Sequence, residues 1–209
     1  MDERGASPTT LRDRCLRTAE EARKLDLAVY SVVASTPTPG LDRALGRLTT
    51  AADHSRLSIG SATVLWLAGG SRGRAAATRG LASVAVTSAF VNLGMKTIAR
   101  RRRPDRLAND IPQSHEVPMP ASSSFPSGHS AAAFAFATGV ATVLPMAGIP
   151  LRGLAALVGY SRVHTGVHYP GDVIAGALLG TVLAQTTTYA LDRKARGLSL
   201  RTRGQTDRS

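Results

Sequence analysis

The sequence predicts an all-α fold, a multi-spanning transmembrane helical bundle of about five to six helices. A membrane span needs about 20 apolar residues, and flanking Ser, Thr and Arg side chains can complete a shorter run. Gly, Ala, Ser and Thr are frequent in the uncharged runs, which suits close helix packing in lipid. A soluble all-α core is the alternative. The uncharged runs are residues 57–70, 81–95, 131–151 and 173–191.

The amino-terminal region differs in character from these runs. Residues 11–26 are predicted to form an amphipathic helix at a surface, and they lack the apolar core of a cleavable secretory signal. Residues 27–36 are apolar but too short to span a bilayer, and the following TPTPG sequence ends any helix. We therefore expect a cytoplasmic segment at 1–26, a membrane domain at 27–191 and a basic flexible tail at 192–209.

The charge of the chain favours an anionic partner. The formal net charge is +12, from 26 Lys and Arg against 14 Asp and Glu. Nucleic acid, an anionic membrane surface or a phosphorylated substrate would each fit, although heavy Arg usage is also typical of a GC-rich genome. Aromatic residues make up only 4% of the chain, which leaves few platforms for base stacking. We therefore expect membrane lipids and a phosphorylated substrate as partners, and no nucleic acid.

The first candidate cluster is the sequence KTIARRRRP, which contains Lys96, Arg103 and Pro104. Lys96 and Arg103 are seven residues apart, so a helix that ends near Pro104 would place both on one face. Two cations at one helix end would clamp a phosphate dianion. A run of four Arg is also typical of a juxtamembrane anchor, so this cluster alone leaves both interpretations open.

The second cluster is the sequence PSGH, at the entrance to the third uncharged run. Ser127 is a good N-cap for the predicted helix, and Gly128 allows a ligand to approach the backbone closely. The free N–H groups of a helix start form an anion site, and His129 would stand beside it. The alternative is a capped transmembrane helix with an interfacial His.

The third cluster lies before the last uncharged run, in the sequence SRVHTGVHYPGD. Arg162 supplies a further cation for phosphate. His168 and Asp172 are four residues apart around a Pro–Gly turn, and a carboxylate beside a His can fix its tautomer and raise its basicity. An Asp at the mouth of a membrane helix is costly without such a role.

The other three histidines have no partner that the sequence identifies. We expect His54 and His115 at the surface and His164 at the membrane interface. No set of His, Cys or carboxylate residues has the sequence spacing of a metal site, and the single Cys15 cannot form an internal disulfide. We therefore expect no metal and no other cofactor.

Together the three clusters resemble the signature of the type 2 phosphatidic acid phosphatase (PAP2) superfamily, K-x6-RP, PSGH and SR-x5-H-x3-D. All eleven fixed positions are present in order between residues 96 and 172. The resemblance implies a helical bundle of the PAP2 and haloperoxidase type, and a phosphatase of the membrane-embedded lipid phosphatase branch.

The resemblance also implies a role for each motif residue. His168 would attack phosphorus with Asp172 orienting it, and His129 would protonate the departing oxygen. The reaction would pass through a phospho-histidine and would need no metal. The implied phosphate-binding residues are Lys96, Arg103, Ser127, Gly128 and Arg162.

The implied substrate is a lipid phosphate or lipid diphosphate, such as undecaprenyl diphosphate, phosphatidate or phosphatidylglycerol phosphate. Alternatives are a prenyl-phosphoryl sugar phosphate of cell-wall synthesis, or the chemistry of a soluble acid phosphatase or haloperoxidase relative. Members of this family mostly place the site on the outer face of the plasma membrane. The Arg residues at 71–80 and the tail would then obey the positive-inside rule, whereas the basic residues at 96–103 would not.

Overall fold

A computed structural model describes residues 10–115 and 117–206, with side chains as far as residue 197. Within these ranges the regular secondary structure is entirely helical, which confirms the all-α prediction. A π-helical turn at Phe90–Met95 joins the fourth helix to the fifth. The helices are α1 (Leu11–Ser35), α2 (Pro39–Ala51), α3 (Arg56–Ala68), α4 (Gly70–Ala89), α5 (Lys96–Ile98), α6 (Gly128–Ala141), α7 (Pro145–His164) and α8 (Pro170–Thr206).

The amino-terminal helices begin and end where local chemistry dictates. Thr10 and Asp13 form a capping box at the start of α1, which satisfies two of the free N–H groups there. The helix ends at Ser35, just before the TPTPG sequence, as predicted. Pro39 then occupies the first turn of α2, where its missing N–H costs nothing. The sequence did not predict α2, which raises the number of long helices in the described ranges to seven.

Helix α6 lies at the centre of the bundle and packs against α4, α7 and α8. Small residues allow the close approach. A Cβ on Gly176 of α8 would overlap the Ser127 carbonyl, and one on Gly180 would overlap the Ala131 carbonyl. These two glycines therefore hold α8 directly against the first turns of α6, which carry the PSGH motif.

We expect Gly180→Ala to destabilise the bundle. The added methyl group has no room against the Ala131 backbone, and overpacking of this kind costs about 1–3 kcal/mol. Gly153→Ala is the matched control, because that position in α7 is exposed and has nothing within 4 Å of the new Cβ. Thermal unfolding of the purified proteins in detergent, followed by circular dichroism, should show a lower Tm for Gly180→Ala only. Equal Tm values would contradict the packing argument.

The uncharged run 131–151 is long enough for one span, but it does not form one continuous helix. Helix α6 ends at Ala141, and Leu144 has a non-helical backbone (φ −126°, ψ 79°). Pro145 then begins α7 in the first-turn position that proline favours. The run is therefore divided into the end of one helix and the start of the next.

Among the residues that the structure describes, two helices are long and apolar enough to cross a membrane, Gly70–Ile98 and Pro170–Gly197. They contain the uncharged runs 81–95 and 173–191. Both carry large apolar side chains that face outward, including Leu93 (78% exposed) and Leu178 (64% exposed). An outward apolar surface of this kind suits contact with lipid.

The helices run through both predicted segment boundaries. Helix α1 crosses position 26 without a break, and α8 crosses position 191 and continues to Thr206. Asp26, the last residue of the predicted amino-terminal segment, bonds the Gly171 N–H at the start of α8. The amino-terminal helix is thus packed against the end of the bundle where α8 begins, beside the motif that contains His168 and Asp172.

Candidate active site

Lys96 and Arg103 do not lie on one helix, so the predicted helical clamp is wrong in form. The helix ends at Ile98, because Ala99 leaves the helical region (φ −85°, ψ 87°) and Ser123 binds its carbonyl through the hydroxyl group. Residues 99–105 form an extended loop instead. The two cations still converge, because Lys96 Nζ lies 3.4 Å from Ser122 Oγ and Arg103 binds the same residue.

Arg103 connects the basic loop to the third cluster. Its guanidinium donates to the Ser122 carbonyl and to the Val167 carbonyl, each at 2.9 Å. Nη1 also lies 3.2 Å from His168 Nε2. A guanidinium can only donate, so His168 Nε2 is the unprotonated nitrogen and the ring proton is on Nδ1.

The His168 imidazole is buried, with 2% of the residue exposed. Its Nδ1 lies 3.5 Å from Asp172 Oδ2 and 3.4 Å from Ser124 Oγ. Ser124 donates its own proton to Asp172, so it also bridges the His and the carboxylate. Burial lowers the pKa of His168 to about 4, and the bond to Asp172 offsets this only in part. The ring is therefore neutral at pH 7, the state that a nitrogen nucleophile needs.

Asp172 is fully buried in the first turn of α8 and has further partners that the sequence did not identify. Arg101 Nη1 donates to its Oδ1 at 2.8 Å, and the same guanidinium binds Asp26 at 2.6 Å. The Tyr169 N–H donates to its Oδ2 at 3.0 Å. The four-Arg run gave no signal of which Arg faces inward, and nothing in the sequence connects Asp26 to this site.

The PSGH turn has the capped helix start that the sequence predicted for an anion site. Ser127 is buried and caps α6, since its Oγ accepts the Ser130 N–H at 3.5 Å and the Ser130 hydroxyl at 3.1 Å. The Ser127 N–H donates to the Asp172 main-chain carbonyl at 2.9 Å, which joins this turn to α8. A Cβ on Gly128 would lie 3.5 Å from Lys96 Nζ. The ammonium group therefore stands beside the first turn of α6, whose N–H groups favour an anion.

His129 has a carboxylate partner from outside the three motifs. Its Nε2 lies 2.7 Å from Asp53 Oδ1. Asp53 opens a short turn in which His54 and Ser55 have left-handed backbones, with φ values of 53° and 59°. Non-glycine residues seldom adopt this conformation. Here it turns the chain between Asp53, which faces His129, and the start of α3 at Arg56. The sequence showed no link between the two residues.

Arg162 is the most deeply buried of the three phosphate-binding cations, with 2% of the residue exposed. Its Nη1 donates to Thr49 Oγ1 of α2 at 2.6 Å. Its Nε is buried without a hydrogen-bond partner among the described residues. An unpaired guanidinium N–H in such a place is costly, and a phosphate oxygen would satisfy it.

Two adjoining cavities receive these side chains. One, of about 510 Å³, is lined by Lys96, Gly128, His129 and Arg162. The other, of about 490 Å³, is lined by Arg103 and again by Lys96. Lys96 lines both cavities, His129 lines the first, and Arg103, which contacts His168, lines the second. The cations therefore stand around spaces that are suited to a tetrahedral anion.

Two of the remaining histidines lie where the sequence analysis did not place them. His115 and His164 are each 1% exposed, so the predictions of a surface and an interfacial position are wrong. Both contact Asp42 of α2, which is 3% exposed. The three residues are far apart in sequence, so their spacing could not reveal the cluster. His54 is exposed, as predicted.

The sequence of this chain is similar to the sequences of known phosphatases. It matches the PAP2 superfamily over residues 76–196. A lipid A 1-phosphatase of Rhizobium johnstonii is 33% identical over 114 residues, which cover 53% of this chain and 46% of the relative. A decaprenylphosphoryl-5-phosphoribose phosphatase of Mycobacterium tuberculosis is 38% identical over 91 residues, which cover 43% of this chain and 47% of the relative. The chain thus spans about half the length of these curated relatives.

Solved structures show the same architecture. The crystal structure of Aquifex aeolicus LpxE superposes with a TM-score of 0.65 and 25% identity, covering 79% of this chain and 95% of that one. A PAP2 type phosphatidylglycerolphosphate phosphatase from Bacillus subtilis superposes with a TM-score of 0.62 and 25% identity, covering 83% and 87%. The family match covers more than half of the 209 residues and includes all three motifs. The chain therefore belongs to the PAP2 superfamily.

Proposed function

We propose that this protein is an integral membrane phosphatase that hydrolyses a lipid phosphate or lipid diphosphate through a phospho-histidine intermediate. One observation carries the proposal: the neutral His168 presents an unprotonated Nε2 beside the cationic Arg103. A nitrogen nucleophile and a phosphate-binding cation are what the attack on phosphorus requires.

Substrate binding must first release His168 Nε2 from Arg103. A phosphate dianion offers Arg103 stronger acceptors than a neutral imidazole does, so the guanidinium would turn toward the phosphate oxygens. Lys96, Arg162 and the N–H of Gly128 would bind the remaining oxygens, with Ser127 holding the turn in place. The lone pair of His168 would then face phosphorus.

The reaction then proceeds in two balanced steps. In the first, the bond between His168 Nε2 and phosphorus forms, the P–O bond to the lipid breaks, and His129 gives its proton to the leaving oxygen. In the second, water attacks the phospho-histidine, His129 takes a proton from it, and the P–N bond breaks to release phosphate. Asp172 and Ser124 hold the Nδ1 proton throughout and stabilise the positive ring. These steps require no metal.

The relatives support a lipid-linked substrate without agreeing on one lipid. Their names describe a lipid A 1-phosphatase, a decaprenylphosphoryl-5-phosphoribose phosphatase and, in Sulfolobus acidocaldarius, an undecaprenyl-diphosphatase that is 47% identical over 68 residues. A phosphate or diphosphate at the head of a lipid is common to them. The 38% identity to the phosphoribose phosphatase makes a prenyl-phosphoryl sugar phosphate the second candidate substrate.

We further propose a multi-pass location in the plasma membrane with the site on its outer face. The two long apolar helices and their outward Leu side chains support the multi-pass location. The basic residues at 96–103 lie on the site's side and bind its loops and Asp172, so substrate binding accounts for their departure from the positive-inside rule. Retention in the membrane fraction after high-salt and alkaline washes is the expected result, and release would contradict it.

Phosphate release by the purified protein in detergent tests the proposed function. The substrates are phosphatidate, undecaprenyl diphosphate and a prenyl-phosphoryl sugar phosphate, without added metal and with His168→Ala as the blank. We expect at least one to be hydrolysed well above the blank. Hydrolysis of none of them, or equal rates with the blank, would contradict the proposal.

We expect Asp53→Asn to impair the proton donor selectively. Burial lowers the pKa of His129 to about 4, and the Asp53 carboxylate offsets this in part by favouring the cationic ring that a proton donor needs. General acid catalysis contributes about 10²–10⁴-fold. Losing the charge but keeping the shape should lower kcat on phosphatidate by roughly 10-fold and lower it less on a diphosphate. Asp110→Asn, at an exposed position, is the control. Equal losses on both substrates would indicate a merely structural role for Asp53.

A further inference from the structure

Asp42, His115 and His164 form a buried cluster outside the proposed phosphate site. They come from α2, from the turn Gln113–His115 and from the last turn of α7. The nitrogen and oxygen atoms that they offer all lie within 4.8 Å of one another. The two imidazole rings are 4.0 Å apart between centroids. The cluster thus joins three elements that the chain brings together only on folding.

The second ring nitrogen of His115 faces a carboxylate without a hydrogen bond to it. Its Nδ1 lies 2.9 Å from the Ala34 carbonyl, which can only accept, so Nδ1 carries the proton. Nε2 lies 3.0 Å from Asp42 Oδ1, but the two atoms do not have the geometry of a hydrogen bond. A cation bound by both atoms would offset the cost of burying these two polar atoms so close together.

The position of His164 and the hydrogen bonds around the cluster also suit a bound metal ion. His164 Nε2 lies 3.2 Å from the same Asp42 oxygen, at hydrogen-bond distance, and Thr38 donates to that oxygen at 2.7 Å. The Nδ1 of His164 is buried without a hydrogen-bond partner among the described residues. Ser114 donates to the other carboxylate oxygen at 2.8 Å. This bond and the one from His115 to Ala34 are the outer-shell contacts that orient metal ligands.

We propose that Asp42, His115 and His164 bind a divalent transition metal ion of the zinc class. Two imidazoles and one carboxylate are a donor set that Zn²⁺ accepts. Ligand atoms around a tetrahedral zinc, with bonds of about 2.0–2.1 Å, lie roughly 3.3–3.4 Å apart. The separations of 3.0 and 3.2 Å from Asp42 Oδ1 are close to that value. The fourth position is left for a water.

The metal would be structural rather than catalytic. Asp42 and Thr49 lie seven residues apart on α2, and Thr49 holds Arg162 at 2.6 Å. A metal that fixes Asp42 against His164 of α7 therefore fixes the position of α2, and with it the hydrogen bond to Arg162. Only this consequence for Arg162 rests on the proposed function; the metal site does not.

Metal binding by tag-free protein, with Zn²⁺ and Co²⁺ as the probes, tests the proposal. The purified chain is dialysed against chelator and then titrated calorimetrically with Zn²⁺. In a parallel titration, Co²⁺ reports its coordination through visible absorption bands. We expect one equivalent to bind, with the tetrahedral absorption bands of a mixed nitrogen and oxygen site. A wild-type protein that binds no equivalent of either ion would overturn the proposal, with no variant needed.

Matched variants locate the site. We expect Asp42→Asn and His115→Gln each to weaken Zn²⁺ binding by about 100-fold or more, since even outer-shell changes cost 10–100-fold. Asp110→Asn and His54→Gln, at exposed positions, should bind as the wild type does. His168→Ala should also keep its metal, which separates this proposal from the proposed function. Unchanged binding in folded Asp42→Asn and His115→Gln proteins would overturn the assignment.

Discussion

His168→Ala is expected to lower kcat on every accepted lipid phosphate by about 10³-fold or more. The substitution removes the nitrogen that forms the bond to phosphorus and leaves the cations Lys96, Arg103 and Arg162 in place. Those cations still bind the phosphate, so the KM should change far less than kcat. Residual catalysis would come from charge stabilisation alone.

The structure provides a control for this prediction. Asp110 is exposed and lines neither of the two cavities, so Asp110→Asn should keep its activity. Equal Tm values for the wild type and both variants would show that folding is intact. A folded His168→Ala protein with near-normal kcat would contradict the role given to this residue.

His129→Ala is expected to separate substrates by their leaving groups. The alkoxide that leaves phosphatidate needs a proton, and loss of a general acid should cost about 10²–10⁴-fold. The phosphate that leaves a diphosphate is a far weaker base, since its second pKa is about 6. We therefore expect the loss in kcat on undecaprenyl diphosphate to be at least about 10-fold smaller than on phosphatidate.

A comparison of kcat for the two lipids, each in the same detergent and at the same pH, measures this effect. Both substrates must be compared as ratios of variant to wild type, so that differences in lipid binding cancel. Equal losses in kcat on the two lipids would contradict the proton-donor role of His129. If Asp53→Asn shows a smaller loss in kcat with the same difference between the two lipids, Asp53 and His129 act together in proton donation.

The sequence predicted the parts of the site that are encoded in contiguous motifs. Ser127 caps α6 and His129 follows it because an N-cap and its helix are local features. His168 and Asp172 meet because only a short turn separates them. The sequence identified Lys96 and Arg103 as candidate cations, but their spacing predicted that both lie on one helix face. That prediction was wrong because the helix ends at Ile98.

Three of the contacts that the sequence could not predict come from the first 53 residues of the chain. Asp26 binds Arg101, Thr49 binds Arg162, and Asp53 binds His129. Each is a tertiary contact between residues far apart in the sequence, and a single carboxylate or hydroxyl in a helix gives no periodic or spacing signal. Helices α1 and α2 therefore complete the site, although the family signature lies entirely after them.

The predicted positions of His115 and His164 were wrong for a related reason. A lone His in a polar loop is ordinarily exposed, and the position of His115 gave no sign that Asp42 and the Ala34 carbonyl would enclose it. His164 follows an apolar run, which suggested the membrane interface, but α2 covers it. Only the packing of α2 against α7 brings these groups together.

Trapping the phosphoenzyme tests the central claim of a covalent intermediate on His168 most directly. The purified protein is mixed with substrate and quenched rapidly in alkali, where phospho-histidine survives, and the digested peptides are analysed by mass spectrometry. The account predicts a phosphoryl group on His168 in the wild type, formed within a single turnover and lost on acid treatment. A phosphoryl group on another residue, or rapid turnover with no phosphorylated His168, would contradict it.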